Sequence, residues 1–435
     1  MNFPFWDVPL IGGGMLIGII AIVHVFVAYL AVGGGLYLVL TERKALRTGD
    51  TALLESVKRH SRFFVLVTLV FGAVTGVGIW WTIGLVSPSA TSSLIHIFVW
   101  GWAIEWVFFL LEIVAAFCYY YGWNRLDSKT HQQIGWIYFV GAYMSLVVIN
   151  GILAFMLTTG SWEPGDSFWK AYFNPSMFPS LLIRTGVCIA MAGVFALITG
   201  SSEGEPELRA RVTKWAARWI LAGMSIVPLA GLWYIASLPP LAREISMGGA
   251  PAVTLFAGMS IGLSLLILAA AFFGPFLFPK SFHVTGAFFI ATLALSVTGV
   301  TEWVREAVRK PWVIYDEMYS NSVRKDEVAR NRSGYIDQTK WALLSTEDRA
   351  DPQKLGERMF RFQCQSCHTI NGFNGIKPMV KGWRKDFLDY QLQHLDELKG
   401  FMPPFMGNDE ERAALVEFLY NLNRPKEETL VFRHP

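Results

Sequence analysis

Five consecutive residues near the C-terminus can do chemistry: Cys364-Gln365-Ser366-Cys367-His368. Cys-x-x-Cys-His is the attachment signature of a c-type haem. The two thiols bond to the porphyrin and His368 is placed beneath the iron. The bare spacing is also compatible with a zinc site or with chance. One histidine leaves the sixth iron position open, and methionine fills it where a higher potential is wanted. Met379, Met402 and Met406 are the candidates. Met402 is the expected ligand, because Gly400-Phe401-Met402-Pro403-Pro404-Phe405 is followed at once by a capped helix signal from Asn408 to Leu422.

A second group of residues stands out because its surroundings are apolar. Ionisable groups inside a bilayer are costly and mark function by default. His24, Glu105, Glu112, Arg184, Glu302 and Glu306 all fall within or at the end of apolar runs. Glu105 and Glu112 are seven apart, so two helical turns put them on one face, about 10 Å apart along the axis. That spacing suits a proton path, a haem ligand beside a proton donor, or a protonated packing pair. A lone intramembrane histidine such as His24 is a haem ligand, a proton relay or a structural residue. His96 opens a helix on the outer side, within reach of a haem propionate. His60, His131 and His283 fall at helix ends and are expected to be solvated or to face phosphate. His394 and His434 lie in the polar tail.

The elements that must position these groups follow from composition. Of 435 residues, 53% are hydrophobic and only 16% charged, and the net charge of +3 gives no case for nucleic acid. A spanning helix needs about 20 apolar residues. Eight such runs occur, at about 15–40, 63–86, 94–121, 132–158, 178–200, 215–238, 252–278 and 282–305. The first lacks a basic leader and a small-residue cleavage site, and reads as a retained span. Lys and Arg fix the orientation. One set of loops carries Arg43, Lys44, Arg47, Lys58, Arg59, Arg62, Arg125, Lys129, Arg209, Arg211, Lys214 and Lys280, whereas the other carries only Lys170 and Arg243. The basic side is cytoplasmic, so both termini lie on the periplasmic side, where bacteria attach haem covalently. The expected fold class is an all-α polytopic membrane helix bundle with a C-terminal periplasmic cytochrome c domain. Residues 1–310 make the membrane domain, 311–352 a polar linker, and 353–435 the cytochrome c domain and tail. Cys118 and Cys188 sit in apolar runs and are expected to pack as small hydrophobes.

The tail from Cys364 to the capped helix resembles a class I cytochrome c. Residues 10–312 resemble subunit I of the cytochrome bd quinol oxidases. His24 matches that family's first-helix haem histidine. Glu105 and Glu112, followed by Gly122-Trp123-Asn124-Arg125-Leu126, match its third-helix carboxylates and their helix end. Gly72-Ala73-Val74-Thr75-Gly76 resembles a second-helix motif. Glu306-Ala307-Val308-Arg309-Lys310-Pro311-Trp312 matches Glu-x-x-Arg-x-Pro-Trp, whose glutamate ligates a high-spin b haem. Met259 takes the place of a low-spin haem ligand.

Four departures accompany the resemblance. Arg184 stands where the family has the histidine partner of that methionine, and a guanidinium stays protonated. The Pro239–Pro251 connection is too short for the quinol-oxidising loop. Glu105 and Glu112 are one residue closer than in the family. A cytochrome c replaces the last helix.

The resemblance implies one covalent haem c and about two non-covalent haems of b or d type. Glu105, Glu112 and Arg309 take catalytic roles. Cys364, Cys367, His368, Met402, His24, Glu306, Met259 and Arg184 bind cofactor. The expected activity is that of a respiratory oxidoreductase, a bd-like terminal oxidase that reduces oxygen to water with electrons from its c haem. A quinone–periplasmic cytochrome c link, or an electron-wiring subunit of a larger respiratory complex, are the other readings. Partners are the lipid bilayer, a periplasmic cytochrome c or quinol, and a second membrane subunit.

Overall fold

A computed structural model describes residues 6–339, 342, 344–398 and 400–424. His434 lies outside them. Among the described residues, eight helices are long and apolar enough to cross a membrane. They are α1 (Gly13–Thr48), α2 (Thr51–Val86), α3 (Val99–Gly122), α4 (Ser128–Phe155), α5 (Met177–Gly200), α6 (Pro206–Ser237), α7 (Pro251–Phe276) and α8 (Val284–Ala307). The chain is thus a multi-pass, almost entirely helical membrane protein. Asp50 and Asp127 start α2 and α4 by accepting backbone N–H groups with their side chains. Within α2 the Leu66–Gly72 segment is π-helical.

The chain divides into two compact units. One comprises residues 18–81 and 92–309. Its core gathers Leu30, Phe64, Tyr138, Ile220 and Ile290, all nearly inaccessible. Without a hydrophobic drive between helices in lipid, small residues let backbones approach and make the packing. A Cβ on Gly186 would meet the Gly223 carbonyl oxygen at 2.7 Å, and one on Gly223 would meet the Gly186 oxygen at 2.3 Å, so α5 and α6 touch backbone to backbone there. On α1, a Cβ at Gly33 would sit 1.8 Å from the Cys188 oxygen. Cys188 is buried as expected, but Cys118 is exposed, on a face of α3 it shares with the exposed Val114, Phe117 and Tyr121. His60 and His131 are also not as expected. They are 4% and 3% accessible, because His60 is bound by Thr199 and His131 by Glu42 and Tyr119.

The second unit comprises residues 1–17, 82–91 and 310–435. Within 311–352, expected as a linker, the described residues form short strands and helical turns. Strands β1 (Trp312–Ile314) and β2 (Met318–Tyr319) form an antiparallel pair. Val323, Tyr335 and Ile336 enter one core with Leu355, Phe360, Phe362 and Leu415. Among the described residues from 310 onward the longest helices are α9 (Pro352–Gln363), α10 (Lys385–Gln393) and α11 (Asp409–Asn421). Asp351 caps α9, and Asn408 with Glu411 forms a capping box on α11. Glu411 is 5% accessible and accepts the N–H groups of Tyr335, Ile336 and Asn408 at 2.9, 2.7 and 2.9 Å. One carboxylate therefore binds the 311–352 segment to α11.

Candidate functional site

Two sites were expected, one in each unit. In the 310–435 unit, α9 buries Leu355, Met359, Phe360 and Phe362 and ends at Cys364. The Cys364 carbonyl accepts the N–H groups of Cys367 (3.0 Å) and His368 (2.8 Å), which winds the motif into a single turn. Neither thiol is in a disulfide. Among the described residues no group of three or more His, Cys, Asp or Glu side chains gathers as a metal cage.

His368 Nδ1 donates to the Asn374 carbonyl at 3.1 Å, and the Asn374 side-chain amide donates to the Cys367 carbonyl at 2.8 Å. Burial holds the imidazole below its ordinary value, with the Asn374 bond acting in the opposite sense. A neutral ring whose Nδ1–H is tied to a backbone carbonyl presents Nε2 as an iron ligand. The motif thus fits a covalent haem. Asn374 achieves this with a left-handed backbone, φ 52°. Cys367 Sγ also lies 3.9 Å from Lys310 Nζ and 3.8 Å from Ser320 Oγ.

Among the methionines, Met406 is fully buried in the core and Met379 is exposed, whereas Met402 is half-buried in its loop. The Gln363 amide, next to Cys364, accepts the Met406 N–H at 2.9 Å and donates to the Met406 carbonyl. That clamp holds the methionine loop against the haem motif, and of the two sulfurs in that loop Met402 is the one not committed to the core. Met402→Leu should convert the c haem to a high-spin spectrum and lower its potential by part of the roughly 0.8 V that axial ligands command. Met406→Leu should leave both unchanged; absorption spectra and a redox titration distinguish the two.

In the helical bundle, α1 carries His24 and α2 carries Thr75 opposite it. His24 Nδ1 lies 3.1 Å from Thr75 Oγ1. That hydroxyl already donates to the Phe71 and Gly72 carbonyls at 2.8 and 3.0 Å, so it accepts from the ring. Nδ1 is the protonated nitrogen and Nε2 keeps its lone pair, as a haem ligand requires. A Cβ at Gly76 would lie 3.1 Å from the ring, so glycine lets the imidazole lie against α2.

The other expected residues fall into separate contacts. Glu105 accepts from Ser145 Oγ at 2.9 Å and Glu112 Oε1 shares a hydrogen bond with Tyr138 Oη at 3.0 Å, both partners on α4. Glu306 pairs with Arg309, whose Nη1 also reaches Met156 Sδ at 3.5 Å. Arg309 is 6% accessible and its Nε has no partner. Glu302 pairs with Arg305 at 2.7 Å. Arg184 donates to Tyr29 Oη at 3.2 Å. Met259 is 42% exposed on α7. A guanidinium has no lone pair to offer iron, so the Met259 and Arg184 positions do not fit a ligand pair. His24 and the half-exposed Glu306 carboxylate do fit haem.

Sequence reasoning missed Ser145 and Tyr138. Their seven-residue separation repeats that of Glu105 and Glu112, and this was the available signal. It also missed Asn374 and Gln363, ordinary polar residues whose roles arise only from the local fold.

A family model described as cytochrome bd terminal oxidase subunit I matches residues 15–237, more than half of the chain. Another, described as cytochrome c oxidase, cbb3-type, subunit III, matches residues 351–419. Among solved structures, the bd oxidase from Geobacillus thermodenitrificans is similar in fold. Its TM-score is 0.59 at 17% identity, over 69% of this chain and 87% of that one. No curated protein matches.

Proposed function

The chain belongs to the cytochrome bd terminal oxidase subunit I family, and from that premise we propose that it is a terminal oxidase subunit reducing oxygen to water with electrons received through its own cytochrome c domain. At the coarser level it is a haem-based electron-transfer oxidoreductase of the membrane, since a bd-type membrane region and a cytochrome c region lie in one polypeptide. The observation that carries the finer reading is His24, held at Nδ1 by Thr75 so that Nε2 is free to ligate.

Bound haem supplies one-electron transfer and, at a b- or d-type site, a place for oxygen. Cys364 and Cys367 would hold haem c covalently, and His368 and Met402 would ligate its iron. His24 and Glu306 would hold two non-covalent haems. Arg309 holds the Glu306 carboxylate in place. Glu105 and Glu112 would hold and pass protons at their carboxyl groups. The charge bias of the loops supports a bacterial inner-membrane protein with the 353–424 domain in the periplasm. Its electron donors would be a periplasmic cytochrome or quinol, and a second membrane subunit would complete the enzyme.

Reduced, purified protein should consume oxygen in a membrane-inlet measurement. A pyridine haemochrome assay should count one c haem and two non-covalent haems per chain. No oxygen uptake, or no non-covalent haem, overturns the reading. The Arg184–Tyr29 pair favours a second reading, since a guanidinium beside a phenol suits a quinone headgroup. In that case quinol would reduce the c haem with no oxygen consumed.

A further inference from the structure

The Glu105 and Glu112 contacts belong to a longer series. On α3, Glu105, Glu112 and Tyr119 recur every seven residues; on the antiparallel α4, Ser145, Tyr138 and His131 do the same in reverse. The first two rungs are the Glu105–Ser145 and Glu112–Tyr138 bonds already described. The third is buried: His131 Nε2 donates to the Tyr119 carbonyl at 2.9 Å, and the Tyr119 and His131 rings lie 4.2 Å apart. From α1, Glu42 joins this rung. Its Oε2 accepts from Tyr119 Oη at 2.8 Å and its Oε1 meets His131 Nδ1 at 2.8 Å. The Glu42 and His131 side chains taken alone are 2% and 4% accessible.

The protons of this rung can be counted. Nε2 faces a carbonyl, which only accepts, so it carries a hydrogen. One further proton then lies between Nδ1 and Glu42. A second count applies one rung higher. Tyr138 Oη faces two acceptors, the Ala31 carbonyl at 2.9 Å and Glu112 Oε1 at 3.0 Å, yet has one hydrogen. Both contacts are satisfied together when Glu112 brings its own proton. Between the rungs is a cavity of about 10 Å³, walled by Leu38, Phe64, Val65 and Ala116 together with Tyr119, Tyr138, Gly35 and Gly135, a mostly apolar space of the kind that stays dry. At the far side, the sequence neighbours Arg43, Lys129 and Gln132 line a surface cavity of about 430 Å³ that opens to solvent.

We propose that Glu42, His131 and Tyr119 form a proton-loading site that feeds Glu112 and Glu105 along the α3–α4 seam. This rests on the reading of those two carboxyls as proton carriers and extends it to the basic, cytoplasmic end. A proton leaving Tyr119 Oη toward Glu112, by way of the Tyr138 phenol that Glu112 contacts, is replaced on the same oxygen from the Glu42–His131 pair. The pair recovers its proton from cytoplasmic water. Each passage moves one proton and leaves every group as it began.

The test is hydrogen–deuterium exchange of the Glu112 carboxylic-acid infrared band in the full chain in lipid nanodiscs, with the band identified by its loss in Glu112→Gln. Exchange should slow by about 10²-fold in Glu42→Gln, the scale of a lost positioned proton donor. It should recover in Glu42→Asp. Tyr119→Phe removes only a hydroxyl and should slow exchange equally, which covers the case where Glu42→Gln does not fold. Exchange at the wild-type rate in Tyr119→Phe overturns the proposal, as does absence of a Glu112 band. Oxygen consumption is read separately. Slowed exchange in a chain that reduces no oxygen leaves the loading site standing and removes the oxidase reading; the converse result does the opposite.

Discussion

His24→Ala removes part of the visible spectrum assigned to non-covalent haem and lowers oxygen consumption by at least about 100-fold, while the c-haem bands persist. The expectation follows from the ring's hydrogen bonds. Thr75 accepts the Nδ1 proton, because its own hydroxyl hydrogen is taken by helix carbonyls of Phe71 and Gly72. The remaining nitrogen is a ready ligand, and alanine offers none. Thr75→Val is the graded companion. It keeps the ligand but frees the tautomer and ring orientation, and partners of this kind are worth about 10–100-fold in affinity or activity. A haem count per chain, with difference spectra of both variants, checks the pair. An unchanged spectrum in His24→Ala shows that no haem iron binds there.

Glu411→Ala unfolds the cytochrome c domain at far lower denaturant than wild type. The carboxylate accepts two buried N–H groups, from Tyr335 and Ile336, and a part-buried one from Asn408. Each orphaned donor costs about 1–3 kcal/mol, and water entering the gap recovers some of this. The net loss should be on the order of 3–5 kcal/mol. Glu411→Gln keeps one acceptor oxygen and should lose about half as much. The c-haem absorption, followed through a denaturant titration of the full chain, reports the domain. A midpoint shift below the scatter between preparations would mean that the 311–352 segment is held by its apolar residues alone.

What could be read in the sequence was local. The eight spans announce themselves by runs of apolar residues, and α11 by Asn408 and Glu411 at capping spacing. The haem motif needs only five adjacent residues. Burial of polar groups could not be read in the same way. His131 sits one turn past Asp127 at the start of a helix, where solvent is the ordinary surroundings, and only Glu42, 89 positions earlier, makes it an interior residue. The 311–352 segment is polar and turn-rich, which describes a linker as well as a folded strap. What orders it is Glu411, about 75 residues away. Tyr138 and Ser145 are unremarkable alone and become meaningful only in register with α3.

The π-helical stretch Leu66–Gly72 has a geometric consequence for everything beyond it in α2. A wide turn accommodates about one residue more than a regular one, and one residue is about 100° of helical rotation. Thr75 and Gly76 come just after it, and their bearing toward α1 includes that added twist. The segment acts as an azimuth setting: its length, rather than the identity of any side chain within it, decides which flank of the span meets the imidazole. Dropping one residue from this stretch would swing the hydroxyl about a quarter-turn aside while leaving the composition of the span almost untouched.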